Sequence, residues 1–365
     1  MRIAVPREIK NREYRVALTP AGVRELVATG HDVQVQSSAG EGAGFADSAY
    51  INAGATMVSD VGALFARAEL IVKVKEPQAE ECRRLGAGQA LFTYLHLAAD
   101  RTQAELLMRS GVTAIAYETI TAADGSLPLL APMSEIAGRM SVQVAANCLQ
   151  KSQGGSGLLL GGVPGVAPSR LLVLGGGVAG SHAARMALGL GADVTVVDRS
   201  LPRLRQLTAE FGLALKTEYS TRDAVERLVT HADVVIGSVL IPGAAAPRLV
   251  TRAMVAGMQP GSVLVDIAID QGGCFETSHP TTHDAPSYVE EGVVHYCVTN
   301  MPGAVPRTST AALTHATLPY VKALADKGIV AALTGDPGFR RGLNIADGEI
   351  RSEPVARALG LPLRP

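Results

Sequence analysis

The stretch 171–180, LLVLGGGVAG, constrains this chain more than any other. Four apolar residues run into Gly175, Gly177 and Gly180, which share a G-x-G-x-x-G spacing. A helical apolar pattern follows at Ala183, Ala184, Met186, Ala187 and Leu190, and ADVTVVD then reads as a second strand ending on Asp198. A strand, a glycine turn, a helix and an acid-tipped strand within about 30 residues predict the opening βαβ unit of a dinucleotide-binding sheet. Gly175 lets the chain leave the strand sharply, Gly177 lets a pyrophosphate approach the backbone, and Gly180 lets the helix lie close to the sheet. The free amides at the helix start would meet the phosphates. Asp198 would accept hydrogen bonds from the adenosine ribose and repel a 2′-phosphate, so the expected cofactor is NAD rather than NADP.

The rest of the chain supports an α/β reading. Its 365 residues suffice for two domains. Strand-like runs at 2–6, 32–36, 70–75, 90–95 and 113–118 alternate with helical patterns, which argues for a mostly parallel sheet. The first helix is expected at Thr19, a cap residue, followed by Pro20 at the first helical position. Residues 132–151 read as one long helix, with Ile136, Met140, Val144 and Leu149 at helical spacing, and a glycine- and proline-rich stretch follows at 153–168. Six strand candidates come next, at 171–175, 193–197, 213–217, 233–239, 262–267 and 293–299, and a last long helix is expected over about 309–327. The expected architecture is therefore a Rossmann-type doubly wound parallel sheet, residues 132–305, inserted into a second α/β substrate domain made of 1–131 and 306–365. A crevice between two such domains would take a cofactor and a small substrate.

Composition narrows the partners. The net charge is −1 with both signs interspersed, which argues against nucleic acid. Cys82, Cys148, Cys274 and Cys297 are scattered without a C-x-x-C, as free thiols of a cytoplasmic protein would be. The start MRIAVPREIK is too charged for a signal peptide, and no apolar run reaches the length of about 18 residues that a membrane span needs.

Several polar residues fall where strands are expected to end. Arg15 follows the first strand, Lys75 closes LIVKVK, and His96 closes LFTYLH. Asp270 follows SVLVDIAI, and Asn300 follows HYCVT. The carboxyl edge of an open parallel sheet is where ligands bind. Four of them also have a plainer reading: a solvated arginine, a snorkelling lysine, a packed histidine, an aspartate that starts a turn. Asp266, inside the apolar run, reads as structural. Together they supply a guanidinium for a carboxylate, a cationic donor for a carbonyl or imine, and a histidine titrating near neutrality for proton transfer. That set suits hydride exchange with an α-amino or α-keto acid.

NREYRVALTPAGV, LIVKVKEP, LFTYLHLAA, VDIAIDQGG and TNMPGAVPRTST, in this order and spacing, resemble the alanine dehydrogenases over nearly the whole chain, more loosely after about residue 330. The resemblance implies NAD-dependent oxidative deamination of L-alanine to pyruvate and ammonium, and the reverse, usually in a homohexamer. It implies that Arg15 holds the substrate carboxylate, Lys75 binds the carboxylate and carbonyl region, His96 is the acid/base and Asp270 the second one. Met133 and Ser134 would face substrate and cofactor, and Asn300 would reach both. Gly175, Gly177, Val178, Ala179 and Gly180 would meet the pyrophosphate, and Asp198 and Arg203 the adenosine side. Ser220, Val239, Leu240, Ile267, Asp270, Asn300 and Met301 would line the rest of the cofactor groove.

Two departures stand out. His279 replaces an arginine common among relatives, and Ala323 and Lys327 replace an acid and a histidine proposed for a divalent cation, so no metal is expected. Two other readings remain: the NAD-binding subunit of a transhydrogenase, which would need a membrane partner, and a non-catalytic NAD-binding regulator. Neither would require Arg15, Lys75 and His96 at one edge.

Overall fold

The computed structural model describes residues 1–239 and 246–364. The chain forms two compact units, Met1–Met133 with Gly303–Pro365, and Ser134–Pro302. The strands are β1 (Arg2–Val5), β2 (Asp32–Gln36), β3 (Thr56–Val58), β4 (Leu70–Val72), β5 (Ala90–Thr93) and β6 (Thr113–Ala116). The second unit contributes β7 (Arg170–Leu174), β8 (Asp193–Asp198), β9 (Leu215–Tyr219), β10 (Val234–Gly237), β11 (Val263–Asp266), β12 (Ser287–Glu290) and β13 (Val293–Tyr296). The chain then adds β14 (Leu343–Ala346) and β15 (Glu349–Ile350) to the first unit.

The first unit's sheet has the order β15-β14-β6-β5-β4-β1-β2-β3. Strands β1 to β6 are parallel, and β14 joins β6 antiparallel. Strands covered on both faces read as continuous apolar runs, as in the wholly buried LIV of β4 and ALFT of β5. The helix Pro20–Ala28 starts as expected: Thr19 Oγ1 accepts a hydrogen bond from the Gly22 amide, and Val23 and Leu26 are buried. The long helix Pro306–Lys327 is stitched to the segment after β1, where the Val16 amide donates to Thr310 Oγ1 and the Thr314 hydroxyl donates to the Ala17 carbonyl.

The second unit's sheet has the order β12-β13-β11-β10-β7-β8-β9. Apart from β12, which pairs antiparallel with β13 at the edge, the strands are parallel. In both sheets the chain winds outward over three strands and then restarts on the other side of the first. This places a topological switch point between β1 and β4, and another between β7 and β10.

The expected strands are present with local differences. The run 213–217 is displaced: Gly212–Ala214 forms a 3-10 turn before β9. The run 70–75 ends its ladder at Val72, although the Lys73 amide still donates to the Phe92 carbonyl and the Tyr94 amide to the Val74 carbonyl. The run 113–118 bends into a 3-10 turn at Tyr117–Thr119. The long helices span Ala131–Cys148 and Pro306–Lys327, against 132–151 and 309–327 expected. Strands β3, β12, β14 and β15 were not anticipated; they are short, and their burial is mixed, so no alternation marks them. No helix among the described residues is long and apolar enough to cross a membrane.

Candidate functional site

In the first unit, Arg15, Lys75 and His96 follow β1, β4 and β5, three consecutive strands of the sheet. Arg15 and Lys75 thus flank the switch point. Arg15 is buried, and Glu13 grips it through both carboxylate oxygens: Arg15 Nε donates to Oε1 at 2.6 Å and Nη2 to Oε2 at 2.5 Å. The Arg15 amide also donates to Glu13 Oε1, and Nη1 donates to Met133 Sδ at 3.1 Å. Burial works against the charge on Arg15, but the Glu13 carboxylate outweighs it and the guanidinium is held charged.

Lys75 is buried just past β4, and its carbonyl accepts from the Thr93 hydroxyl of β5. Its charge is felt next door: burial raises the pKa of Glu76, yet Lys75 and Lys10 together bring it below the usual carboxylate range. Lys73 has no exposure at all; its Nζ donates to Glu8 Oε2 at 3.0 Å and pairs with Glu81 Oε1 at 2.8 Å. Glu8 Oε1 accepts from the Val74 amide, so the triad clamps the backbone that delivers Lys75.

His96 is not the packed core histidine of the plainer reading. Its side chain is exposed, and its backbone is left-handed at φ 51°. Glu118 Oε1 accepts from the His96 amide at 2.6 Å, and the imidazole stacks on Tyr94 with ring centroids 5.8 Å apart and planes within 8°. The Tyr94 hydroxyl donates to the Leu129 carbonyl at 2.5 Å; burial raises the phenol pKa, with Arg15 opposing.

In the second unit, the glycine turn follows β7. Gly175 has φ +96°, a left-handed conformation that a side chain would strain. A Cβ at Gly180 would lie 1.8 Å from the Gly175 carbonyl oxygen, so only glycine lets the helix Val178–Gly189 approach the strand. A Cβ at Gly177 would meet nothing within 4 Å, and Gly177 caps that helix with no side-chain hydrogen bond. Val178 is exposed and Ala179 half-buried. Open space before uncapped helix amides fits a dinucleotide pyrophosphate.

Asp198 Oδ2 accepts from the Gly176 amide and Oδ1 from the Ser200 amide, both at 2.7 Å. Arg203 Nε donates to the Gly176 carbonyl, and the Ser220 amide donates to the Asp198 carbonyl. Asp198, Arg203, Ser220 and the turn therefore form one network, with carboxylate lone pairs remaining for a ribose diol. The Ser238 hydroxyl at the end of β10 is bonded to the Leu174 and Gly175 carbonyls, with half-buried Val239 beside it; Leu240 lies outside the described residues.

Asp270 is exposed on the 3-10 turn Ile269–Gln271, just after β11 and half-buried Ile267. The loop is organised by Asp266, which accepts from the Ala268 amide, the Cys274 amide and the Ser278 hydroxyl. Burial pushes the Asp266 carboxyl up to about 6 against those hydrogen bonds. Its structural role is as expected. Asn300 is half-buried and left-handed at φ 62°, its carbonyl facing His283 Nε2, and Met301 is buried. Ser134 is half-buried near the start of the helix Ala131–Cys148. His279 stacks on Tyr288, with centroids 3.7 Å apart.

Sequence reasoning missed Glu13, Tyr94 and Glu118. Glu13 sits inside the charged NREYR, which reads as solvated loop; Tyr94 is hidden in an apolar run. Glu118 is 22 residues from His96 with no pattern joining them.

A glycine turn locked to an acid-tipped strand in one sheet, and a buried guanidinium, a lysine and a histidine at the strand ends of the other, define a two-domain α/β protein with a Rossmann-type nucleotide fold. The chain belongs to the alanine dehydrogenase/PNT family: the family's N-terminal domain matches residues 4–137 and its C-terminal domain residues 141–353. It is 64% identical to the alanine dehydrogenase of Halomonas elongata over 99% of this chain and 97% of that protein. It is 54% identical to the alanine dehydrogenase of Mycobacterium tuberculosis over 99% of this chain and 98% of that one. A solved structure of an L-alanine dehydrogenase superimposes with a TM-score of 0.95 at 51% identity, covering 99% of both chains. A transhydrogenase structure from Sinorhizobium meliloti, at 24% identity and a TM-score of 0.84 over 96% of this chain and 100% of that one, shares the fold.

Proposed function

We propose that this protein interconverts L-alanine and water with pyruvate and ammonium, using NAD. The observation that carries the reading is the placing of Arg15, Lys75 and His96 after three adjacent parallel strands of one sheet, two of them at its switch point. A transhydrogenase subunit or a silent NAD-binding regulator would have no use for that set.

The glycine turn, Asp198, Arg203, Ser220 and Val239 would hold NAD, with Ser134, Ile267, Asn300 and Met301 completing its groove. When bound, NAD supplies the hydride acceptor. Arg15, its plane fixed by Glu13, would grip the alanine carboxylate, and a planar fixed guanidinium meets both carboxylate oxygens at once. Met133, against Arg15 Nη1, would border the same group. Lys75 would add a second cation and, once the imine hydrolyses, donate to the pyruvate carbonyl oxygen. His96 would accept the proton from the alanine ammonium and release it to solvent, then take a proton from the attacking water and return it to the departing amine. Asp270 would act as the second acid/base, holding a water and stabilising the cationic imine. We assign the substrate to 1–131 with 306–365 and the cofactor to 132–305.

We further place the enzyme in the cytoplasm as a homo-oligomer, a hexamer by family resemblance. The four cysteines are free and buried, as a reducing compartment leaves them. Leu158, Leu159, Val163 and Val166 expose apolar side chains close together in sequence, which a second copy would cover. Light scattering after size exclusion tests the assembly.

The decisive assay mixes protein, NAD and L-alanine at alkaline pH and follows NADH absorbance. NADH formed with alanine, and lost in His96→Ala while NAD still binds, supports the reading. No NADH with alanine or any other small amino acid would sink it.

A further inference from the structure

We propose that Glu118 is a positioning residue for His96, holding the histidine in its left-handed backbone conformation so that its imidazole stays exposed on the Tyr94 ring. This rests on the reading of His96 as the acid/base.

His96 has φ 51° and ψ 34°. A residue with a Cβ pays for that conformation, so surrounding contacts must impose it. Two contacts do so. From the turn after β6, Glu118 Oε1 accepts the His96 amide at 2.6 Å and the Leu95 amide at 3.2 Å, with Oε2 at 3.3 Å from the Leu95 amide. A carboxylate that receives two successive amides dictates the peptide geometry between them. Leu95 itself is fully buried, which anchors the other side of the reversal. The second contact is the Tyr94 ring, tied by its hydroxyl to the Leu129 carbonyl and stacked parallel to the imidazole. Ring and backbone together define where the imidazole lies. Without Glu118, the two amides would lose their acceptor, and His96 would relax toward the negative φ that L residues prefer. Relaxation swings the side chain away from Tyr94. A displacement of about 1 Å at a proton-transfer group can cost on the order of 100-fold in rate.

Oε1 receives both amides and Oε2 only the longer contact from Leu95, and this makes the proposal testable with near-isosteric variants. Glu118→Gln keeps an acceptor oxygen at the same reach and removes the charge. Glu118→Asp keeps the charge and withdraws the acceptor by one methylene. If positioning is the role, Asp should lower kcat for alanine oxidation and pyruvate amination at least tenfold, while Gln stays within about threefold of wild type. The KM for NAD should not change in either, and NADH titration by fluorescence and the thermal midpoint should show both variants folded. Wild-type kcat in Glu118→Asp would overturn the proposal. So would an active Asp variant beside an inactive Gln variant, because charge rather than acceptor position would then matter. His96→Ala is measured alongside. If it keeps full activity, the acid/base reading itself has failed. If it is inactive while Glu118→Asp is normal, only the positioning role has.

Discussion

Glu13 and Arg15, two residues apart, form a buried bidentate pair, with Arg15 Nε and Nη2 at 2.6 and 2.5 Å from the two carboxylate oxygens. The pair sets the plane of the guanidinium before any substrate arrives. Glu13→Gln keeps one acceptor and loses the charge and the second bond. A hydrogen bond to a charged group contributes about 1.5–3 kcal/mol, so the KM for alanine should rise between about 10- and 100-fold. The KM for NAD should hold. Steady-state kinetics with each substrate varied in turn checks this; an unchanged alanine KM would show that Arg15 needs no such support.

The second and third glycines of the G-x-G-x-x-G turn should separate binding from folding. Gly177 has φ −64° and ψ −163°, which alanine adopts, and its Cβ would enter open space. Gly177→Ala should therefore keep wild-type stability within about 0.5 kcal/mol and, if the turn holds NAD as proposed, bind NADH at least tenfold more weakly, because the new methyl would enter the space proposed for the pyrophosphate. Gly180→Ala would put a methyl 1.8 Å from the Gly175 oxygen. It should cost about 1–3 kcal/mol or more of stability. Urea denaturation and NADH fluorescence titration on both variants read the two effects.

Asp266 carries a pH signature. Its carboxyl stands at about 6 in the fold against an ordinary 3.8. The folded protein thus binds this proton more tightly than the unfolded chain does. Its contribution to stability is fully present at low pH and is lost as pH rises from about 4 to about 6. The size is on the order of 3 kcal/mol. Asp266→Asn removes the titrating proton but keeps only one of the two acceptor oxygens, so it should be less stable than wild type and should lack that slope. Denaturant midpoints measured from pH 4 to pH 7 for both proteins give the difference directly; parallel curves would refute the assignment.

Lys73, between Glu8 and Glu81, should be the most sensitive stability position behind the site. Burial pulls its pKa down, but the two carboxylates outweigh this and keep it charged. Lys73→Met leaves two buried carboxylates without their cation and should cost about 3–5 kcal/mol. Adding Glu8→Gln and Glu81→Gln to Lys73→Met should restore much of the loss. Urea midpoints across the three proteins test this, and a single variant as stable as wild type would contradict it.

The glycine fingerprint, Asp198, the cap at Thr19-Pro20 and the apolar strands were legible in the sequence because each rests on local physics: a turn that only glycine makes, an apolar run that must be buried. Lys75 and Asp270 were legible because they interrupt or end such runs. Strands β3, β12, β14 and β15 were not, because short edge strands take their place from the neighbour they pair with rather than from their own pattern.

The sequence by itself determined the glycine turn, the alternation of strands and helices, and which polar residues lie at strand ends, since these depend on residues close along the chain. Only the tertiary structure decided that β4 lies beside β1, putting Arg15 and Lys75 on either side of a switch point. It alone paired Glu118 with the His96 amide and folded Glu13 back onto Arg15. Such contacts are selected by the closure of a sheet and by the burial of charge, and those are properties of the whole packed chain.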